Sequence, residues 1–482
     1  MNTLSNYEIP ADCLDEVFTG EYKVKEAYQG LSEILGAFST DQFKSLNDNV
    51  KQSFLNQGIT YQVYSNNATK EHIFPFDLFP RIITLKDWTK LEQGMIQRNR
   101  ALNLFLEDIY GEQKILKDKV VPHEMIASSP HFCKEMVGFK PVGGIYCHIS
   151  GNDIIKHNDD QFYVLEDNLR SPSGVSYVLT NREALKRNIG PLFKTKKVRT
   201  VDEYPLELLA TMQSVAAQGV ERPTCVLLTP GVYNSAYFEH AFLAQQMGIE
   251  LVEGRDLFVE KDVVYMKTTQ GSKKVDVIYR RIDDDFLDPK VFNKDSVLGV
   301  SGLMGAYLKG NVSLVNAPGT GVADDKAIYQ YVPSIISYYL DEKPIIDNVK
   351  TYLCHEASDL KYVLENLEKL VVKPVDQSGG YGIAIGNKLT KAELSDLKVE
   401  IKNNPRSYVA QPILSLSLHS TFIDSENQFE PRHIDLRMFC LTGKEREYVL
   451  QGGLTRVALT KGSLIVNSSQ GGGSKDTWVI EN

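Results

Sequence analysis

One segment restricts this chain more than any other: Val371-Val372-Lys373-Pro374-Val375-Asp376-Gln377-Ser378-Gly379-Gly380-Tyr381-Gly382-Ile383-Ala384-Ile385. An apolar run ends on a lysine, a glycine-rich turn follows, and alternation resumes at Ile383 and Ile385. Alternation is a strand signal, so the predicted unit is a hairpin with a lysine at the end of its first strand. Glycines lack a Cβ, so their N–H groups can close on an anion, and the lysine adds a point charge. A Walker loop or a dinucleotide fingerprint would run into a helix instead. Taken alone, the segment fits an ordinary hairpin with a flexible tip equally well.

The chain has 482 residues, enough for two to four domains. Its 42% hydrophobic and 24% charged content is that of an ordinary soluble protein. A net charge of −9 gives no broad attraction for nucleic acid or an anionic membrane. The cysteines, Cys13, Cys133, Cys147, Cys225, Cys354 and Cys440, never reach CxxC spacing, which argues against a zinc knuckle and fits a reducing cytoplasm. The N-terminus has neither the basic nor the apolar region of a signal peptide, and no apolar run is long enough to span a membrane.

Four regions are expected. Residues 1–140 read as mainly helical, with Leu102, Phe105, Leu106 and Ile109 at helical spacing and Asp87 as an N-cap before Trp88. The prolines of Phe74–Arg81 read as a break between helices. Arg98 and Arg100 read as surface or salt-bridge groups. Residues 141–205 turn to strands. Residues 206–320 have a strand–turn–helix–strand rhythm, from Cys225–Leu228 to Glu250–Val252, that suggests a small parallel sheet. Residues 321–482 open on a helix at 326–342, which Pro333 kinks or splits, and continue as hairpins with one helical insert near 391–402.

Several segments carry candidate chemistry. In Phe162–Asn168 strict alternation places Phe162, Val164, Glu166 and Asn168 on one face, with two oxygen-bearing side chains about 7 Å apart. Such hard oxygens suit Mg²⁺, and Asp153 on the preceding strand offers a third; a polar strand end is the plainer alternative. The turn after Arg170, with Ser171, Ser173 and Ser176, offers hydroxyls to a carboxylate or acyl phosphate. Arg280 and Arg281 end an apolar strand, where Arg281 can grip a carboxylate in two points or form a structural ion pair. Lys326 follows a glycine loop at a helix start, where the dipole disfavours a cation unless an anion is near. Tyr408–Pro412, with Gln411, can present backbone to a base. Asp435 and Arg437 share a strand face, so that Asp435 can orient Arg437 toward a phosphate. The Ser468–Ser474 tail is glycine-rich, a mobile loop or a lid.

In this order these pieces resemble the circularly permuted ATP-grasp family, the group related to glutathionylspermidine synthetase and eukaryotic-type glutathione synthetase. The matching stretches are Pro75–Ile83, Gln97–Gly111, Phe162–Leu179, Val275–Pro289, Gly319–Leu340, Val371–Gly382, Arg432–Phe439, Gly452–Leu459 and Val466–Val479. The likeness runs from about residue 60 to the end. It implies a mixed α+β and α/β fold: a permuted ATP-grasp core, a glutathione-synthetase-like α/β substrate lobe and a helical N-terminal region. It further implies ATP and Mg²⁺ as cofactors, with Asp153, Glu166 and Asn168 on the metal. Lys326, Lys373, Gln411 and the flap Ser378, Gly379, Gly380, Tyr381 and Gly382 would hold the nucleotide. Arg281, Arg437 and Arg456 would stabilise the reacting groups, with the Gly471–Gly473 loop closing beside Arg456. Arg170, Ser171, Ser173, Ser176 and Arg280 would bind substrate.

The implied activity is a cytoplasmic carboxylate–amine ligase working through an acyl phosphate. Its substrates would be small-molecule or peptide-like, without nucleic acid or membrane. A kinase on the same fold and a non-catalytic nucleotide-binding regulator stay open. No general base is evident. Met438 and Gln451 depart from the family pattern, where prolines are expected.

Overall fold

The computed structural model describes residues 7–10, 12–65, 68–194, 196–376, 382–467 and 472–481, with backbone alone between 62 and 71. The stretch that its prolines marked as a helix break is a strand, Phe76–Thr84, buried along almost its whole length. Phe76, Leu78, Phe79, Ile82 and Ile83 supply the apolar, β-favouring side chains. Pro80 is tolerated because the strand lies at the end of its sheet, where a missing N–H breaks no ladder. Its pairing with Gly473–Glu481 also shifts register between Asp77 and Arg81, so Pro80 falls in the irregularity.

The N-terminal region is therefore not helical throughout; it contributes a strand to the main sheet. Among the described residues that sheet has ten strands. Its path runs Asp347–Asn348, Phe162–Asn168, Ile149–Lys156, Gln428–Thr442, Leu454–Val457, Gly473–Glu481, Phe76–Thr84. The glycine-rich tail thus ends in a central strand from Gly473, while Gly471 lies outside the described residues. The helix Leu85–Tyr110 packs across this sheet, its N-cap being Thr84, which accepts from the Asp87 N–H. Asp87 sits inside the first turn instead, where a carboxylate also suits the helix dipole.

Two smaller sheets flank the main one. The first is parallel, ordered Ser313–Val315, Val277–Arg280, Cys225–Leu228, Glu250–Val252. The second is antiparallel, ordered Tyr352–Leu353, Tyr408–Pro412, Leu370–Pro374, Ala384–Ile385. Helices Ala357–Asn366 and Lys391–Asn403 cover the second sheet around Val363, Leu370, Val372, Leu394, Ile401 and Ala410. Pro333 splits the predicted 326–342 helix into Lys326–Tyr329 and Val332–Leu340. It sits in the first turn of the second piece, where its missing N–H costs nothing. The result is a mixed α/β architecture in which three of the five sheets among the described residues carry or adjoin the candidate site residues.

Candidate active site

The site begins with an irregularity in one strand pair. Asp153 pairs with Glu166, but Ile154 pairs with Val164, so Leu165 is an extra residue. A bulge of this kind re-aims the side chains that follow it. Val164 packs with Ile154 and Trp88 on the helix side, while Leu165 and Glu166 line a cleft on the other. Glu166 and Asn168 do share a face, as alternation predicts, but it is the face opposite Phe162 and Val164. Asp167, between them, points back to the helix and takes both arms of Arg98, at 2.7 Å each. That pair is almost fully buried, so Arg98 is structural, whereas Arg100 makes an exposed pair with Glu447.

The cleft floor is a set of alternating charges. Asp153 accepts from Arg437 Nε (2.6 Å) and Nη2 (2.8 Å), and from Arg456 Nη2 (2.8 Å). Arg456 also binds Asp435 through Nε (2.8 Å) and Asn467 through Nη1 (2.6 Å). Asp435 thus orients Arg456, and Asp153 orients Arg437; the pairing expected between Asp435 and Arg437 does not form. Burial acts to raise the Asp153 carboxyl, but the Arg437 and Arg456 charges overcome it and hold it well below the usual range. Burial dominates at Glu166, only partly offset by Lys326, and the neighbouring Asp153 adds to it, so this carboxyl is raised. The pair titrates as a unit.

Two lysines face this floor. Lys326 Nζ is 3.9 Å from Glu166 Oε2, as is Arg437 Nη2 from Glu166 Oε1. Lys373, at the end of the Leu370–Pro374 strand, is buried, and burial pulls its ammonium down to about 8. Asp153, Glu166, Lys326, Lys373, Gln411 and Arg456 line one cavity of about 110 Å³, walled by apolar Val371, Ile383, Ile385, Leu414 and Leu416. Gln411 is anchored there through Nε2 to Thr351 Oγ1 at 2.9 Å. The predicted flap residues Ser378, Gly379, Gly380 and Tyr381 lie outside the described residues. Gly382, which follows them, has φ +69°, a left-handed conformation that favours glycine.

The oxygen donors fit a hard divalent cation, though fewer of them are open than the sequence suggested. Asn168 Nδ2 donates to Gly151 O at 3.1 Å, which leaves Oδ1 as its acceptor. Glu166 and Asn168 both line a smaller cavity beside the first, with Arg170, Asp324, Lys326 and His131. Arginine N–H groups already engage both Asp153 oxygens, so as a metal ligand it would share them with Arg437 and Arg456. No group of three His, Cys, Asp or Glu among the described residues is arranged to hold a metal. A cation here would rest on Glu166 and the amide oxygen of Asn168, with phosphate oxygens completing the shell.

The serine turn connects this floor to the parallel sheet. Arg437 Nη1 reaches Ser173 O at 3.3 Å, and Arg281 reaches Pro172 O at 2.9 Å and Ser173 Oγ. Arg281 also donates to His240, Tyr279 and Glu239. The buried Glu239 carboxylate accepts from Gly174 N, Ser176 N and Ser176 Oγ, at 2.7, 3.0 and 2.9 Å. Ser176 is therefore spent on fold, and Arg281 holds the turn in place. Ser171 Oγ is buried without a hydrogen-bond partner among the described residues. Arg170 pairs with Asp324 at 2.8 Å. Arg280 does not reach the cleft: it donates to Asn316 O, Ile282 O and Ala317 O and pairs with Asp284. Its assignment to substrate is corrected accordingly: the side chain is buried, turned to three backbone carbonyls and the Asp284 carboxylate, and lines neither cavity at the site.

Glu239, Asp324, Asn467 and His131 were not picked out from the sequence. His131 Nε2 is buried without a hydrogen-bond partner among the described residues. A larger cavity, about 580 Å³, lies apart from the site between Phe54, Leu179, Phe238 and Phe242; no predicted site residue lines it.

The model of the circularly permuted ATP-grasp type 2 family matches residues 80–458. An uncharacterized protein of Synechocystis sp. is 49% identical over 478 residues, 99% of each chain. An uncharacterized protein of Mycobacterium tuberculosis is 49% identical over 473 residues, 98% of this chain and 85% of its own. A Frankia alni protein named "Putative glutamate--cysteine ligase 2-3" is 39% identical over 470 residues, 96% of this chain but 53% of its own. In fold the chain is similar to a glutathione synthetase-like effector of Globodera pallida, with a TM-score of 0.58 at 11% identity over 92% of this chain and 98% of that one. With the family model spanning most of its length over the lysine-faced cleft, the chain belongs to the circularly permuted ATP-grasp type 2 family.

Proposed function

We propose that this protein is an ATP-dependent carboxylate–amine ligase of the cytoplasm. The observation that carries the reading is the convergence of Lys326 and Lys373, from separate elements, on the cavity lined by Glu166, Asp153, Asp435 and Arg456, with Arg437 beside Glu166. Paired cations over an acidic, oxygen-rich strand end suit a triphosphate better than they suit each other. Lys326 and Lys373 would bind phosphate oxygens, and the apolar wall with Gln411 would take the base. Glu166 and Asn168 would hold Mg²⁺, which supplies charge neutralisation on the transferring phosphate.

Arg437 and Arg456, pre-set by Asp153 and Asp435, would face the negative charge that develops as phosphate moves to the substrate carboxylate. The Ser171–Ser173 turn, held by Arg281, lies beside Arg437 and would seat that carboxylate, with Arg170 near the incoming amine. The amine then forms the C–N bond at the acyl carbon, the C–O bond to phosphate breaks, phosphate leaves with the electron pair, and the proton shed by the nitrogen passes to the departing phosphate or to water. Substrates of amino-acid or peptide-like class agree with the printed name of the Frankia alni relative.

The test is ADP release from Mg·ATP with single amino acids as carboxylate, L-glutamate first, and hydroxylamine as trapping amine. Carboxylate-dependent ADP and a hydroxamate product support the ligase. A phosphorylated product that accumulates in solution when hydroxylamine is left out, with no amide formed from an ordinary amine, would make it a kinase.

A further inference from the structure

Lys326 stands at a junction between the main body and the antiparallel lobe, and a closed ring of contacts surrounds it. Asp325, just before it, caps the short helix Lys326–Tyr329 by accepting from Ala327 N at 2.8 Å. The other Asp325 oxygen accepts from Arg406 Nη2 at 2.8 Å. Asp325 is fully buried and Arg406 mostly so. On the other side, Lys326 N donates to Val375 O at 3.2 Å, and Val375 N donates to Ser407 O at 3.1 Å. Val375 follows Lys373 by two residues, at the root of the glycine loop. Arg406 and Ser407 are neighbours in the lobe, just before the Tyr408–Pro412 strand. One dipeptide therefore grips Lys326 from both flanks and ties it to the segment that carries Lys373. Arg406 is itself braced against the body by Ser128 Oγ (3.0 Å) and Met125 O (3.3 Å).

We infer that Arg406 is a positioning residue for nucleotide binding: through Asp325 it fixes the backbone at Lys326 so that the two lysines meet one phosphate. It touches neither lysine side chain and lines neither cavity at the site. Because it acts on Lys326 through Asp325, its effect on binding should vanish once that lysine is absent, which a generic stabilising pair would not show. This inference rests on the nucleotide reading of the cleft.

The experiment is calorimetric titration of Mg²⁺ with a non-hydrolysable ATP analogue into wild type, Arg406→Ala, Arg406→Lys, Lys326→Ala and the Arg406→Ala/Lys326→Ala double variant, with thermal melts of each. Arg406→Ala is expected to weaken binding by about threefold to thirtyfold, and by little or nothing once Lys326 is alanine, the signature of coupled sites. Arg406→Lys keeps the charge and should recover part of the loss. Ser128→Ala, which removes only the brace, should bind as wild type. Equal losses in both backgrounds, or no loss at all, would overturn the inference while leaving the nucleotide site intact. Should Arg406→Ala not fold, Asp325→Asn, which keeps the cap oxygen and drops the charge, replaces it in the same cycle. If wild type binds no nucleotide, the reading of the cleft fails first and this inference with it.

Discussion

Arg437 meets Asp153 across adjacent antiparallel strands, Nε to Oδ1 at 2.6 Å and Nη2 to Oδ2 at 2.8 Å, as direct register partners. A two-point fork of this kind fixes both direction and plane of the guanidinium. Gly151, beside it, lets the serine turn pack close: a Cβ there would lie 2.7 Å from Pro172 Cβ. The floor of the cleft is thus pre-formed, with positive groups already aimed where charge would develop.

Removing Asp153 takes the two-point carboxylate from Arg437 and one of two carboxylate partners from the buried Arg456. Asp153→Ala should destabilise the fold by about 3–5 kcal/mol, the range for breaking a buried ion pair, read as a lower urea midpoint at unchanged slope. Because its folded pKa is depressed, Asp153 contributes stability that is present above the unfolded value of 3.8 and is lost as pH falls below it. Acid unfolding of Asp153→Asn should lack that component. An unchanged midpoint in Asp153→Ala would contradict the geometry.

Lys373 gives a pH signature of the same sign in an alkaline window. Burial lowers it from 10.5 to about 8, so between those values the unfolded chain holds a proton that the folded chain has lost. Stability from this group therefore rises with pH across that window. Nucleotide affinity should fall over the same range, because the neutral amine cannot pair with phosphate. Below about pH 8 the affinity should level off, and at pH 8 binding should take up protons, measured by calorimetry in buffers of different ionisation enthalpy. Lys373→Met should remove both the slope and the uptake.

Glu166 should report the metal. Its carboxyl is raised by burial and by Asp153, so a cation competes with a proton for it, and Mg²⁺ affinity in the nucleotide complex should climb as pH rises through its titration. Glu166→Gln should cost roughly tenfold or more in Mg²⁺ dependence, on the scale of one charged contact, and should flatten that climb. Asn168→Asp, which keeps the oxygen, should bind better than Asn168→Ala in magnesium titrations of nucleotide binding.

Arg98 supports both ligands from behind. It holds Asp167, the residue between Glu166 and Asn168, in a pair whose side chains are 2% and 0% exposed. Arg98→Ala should lower stability by about 3–5 kcal/mol, while Arg100→Ala, losing an exposed pair, should cost less than about 1 kcal/mol. Chemical denaturation of the two variants side by side checks the contrast.

Much of this was legible in the residues, and what was not has identifiable causes. The parallel strands Cys225–Leu228 and Glu250–Val252 announce themselves as short apolar runs with turn residues between them. The lysine-ended strand before Gly382 does so too. Strict period-2 reasoning missed the bulge at Leu165, because an extra residue in a strand leaves no mark in composition. It nonetheless kept Glu166 and Asn168 together, since both follow the bulge. The Phe76–Thr84 strand was hidden by Pro80, whose local penalty vanishes at a sheet edge. Arginine partners were the least legible. Arg437, Arg456, Asp153 and Asp435 come from three strands, two of them distant in sequence from the one that carries Asp153, and which acid meets which arginine is set by register. Glu239 was hidden for a related reason: it lies among aromatic residues on a helix, and its buried role appears only once that helix abuts the serine turn. Gln451, where the family pattern has proline, uses its side chain as a bridge, Nε2 to Glu92 at 3.0 Å with Arg199 on its oxygen.

The most direct test of the central claim is calorimetric titration of Mg²⁺ and a non-hydrolysable ATP analogue into wild type and Lys373→Ala. Saturable binding to wild type, weakened roughly tenfold or more in the variant by loss of one charge-assisted phosphate contact of about 1.5–3 kcal/mol, is the predicted result. Absence of binding in folded wild-type protein, or equal affinity in a folded variant, would contradict a nucleotide held between Lys326 and Lys373.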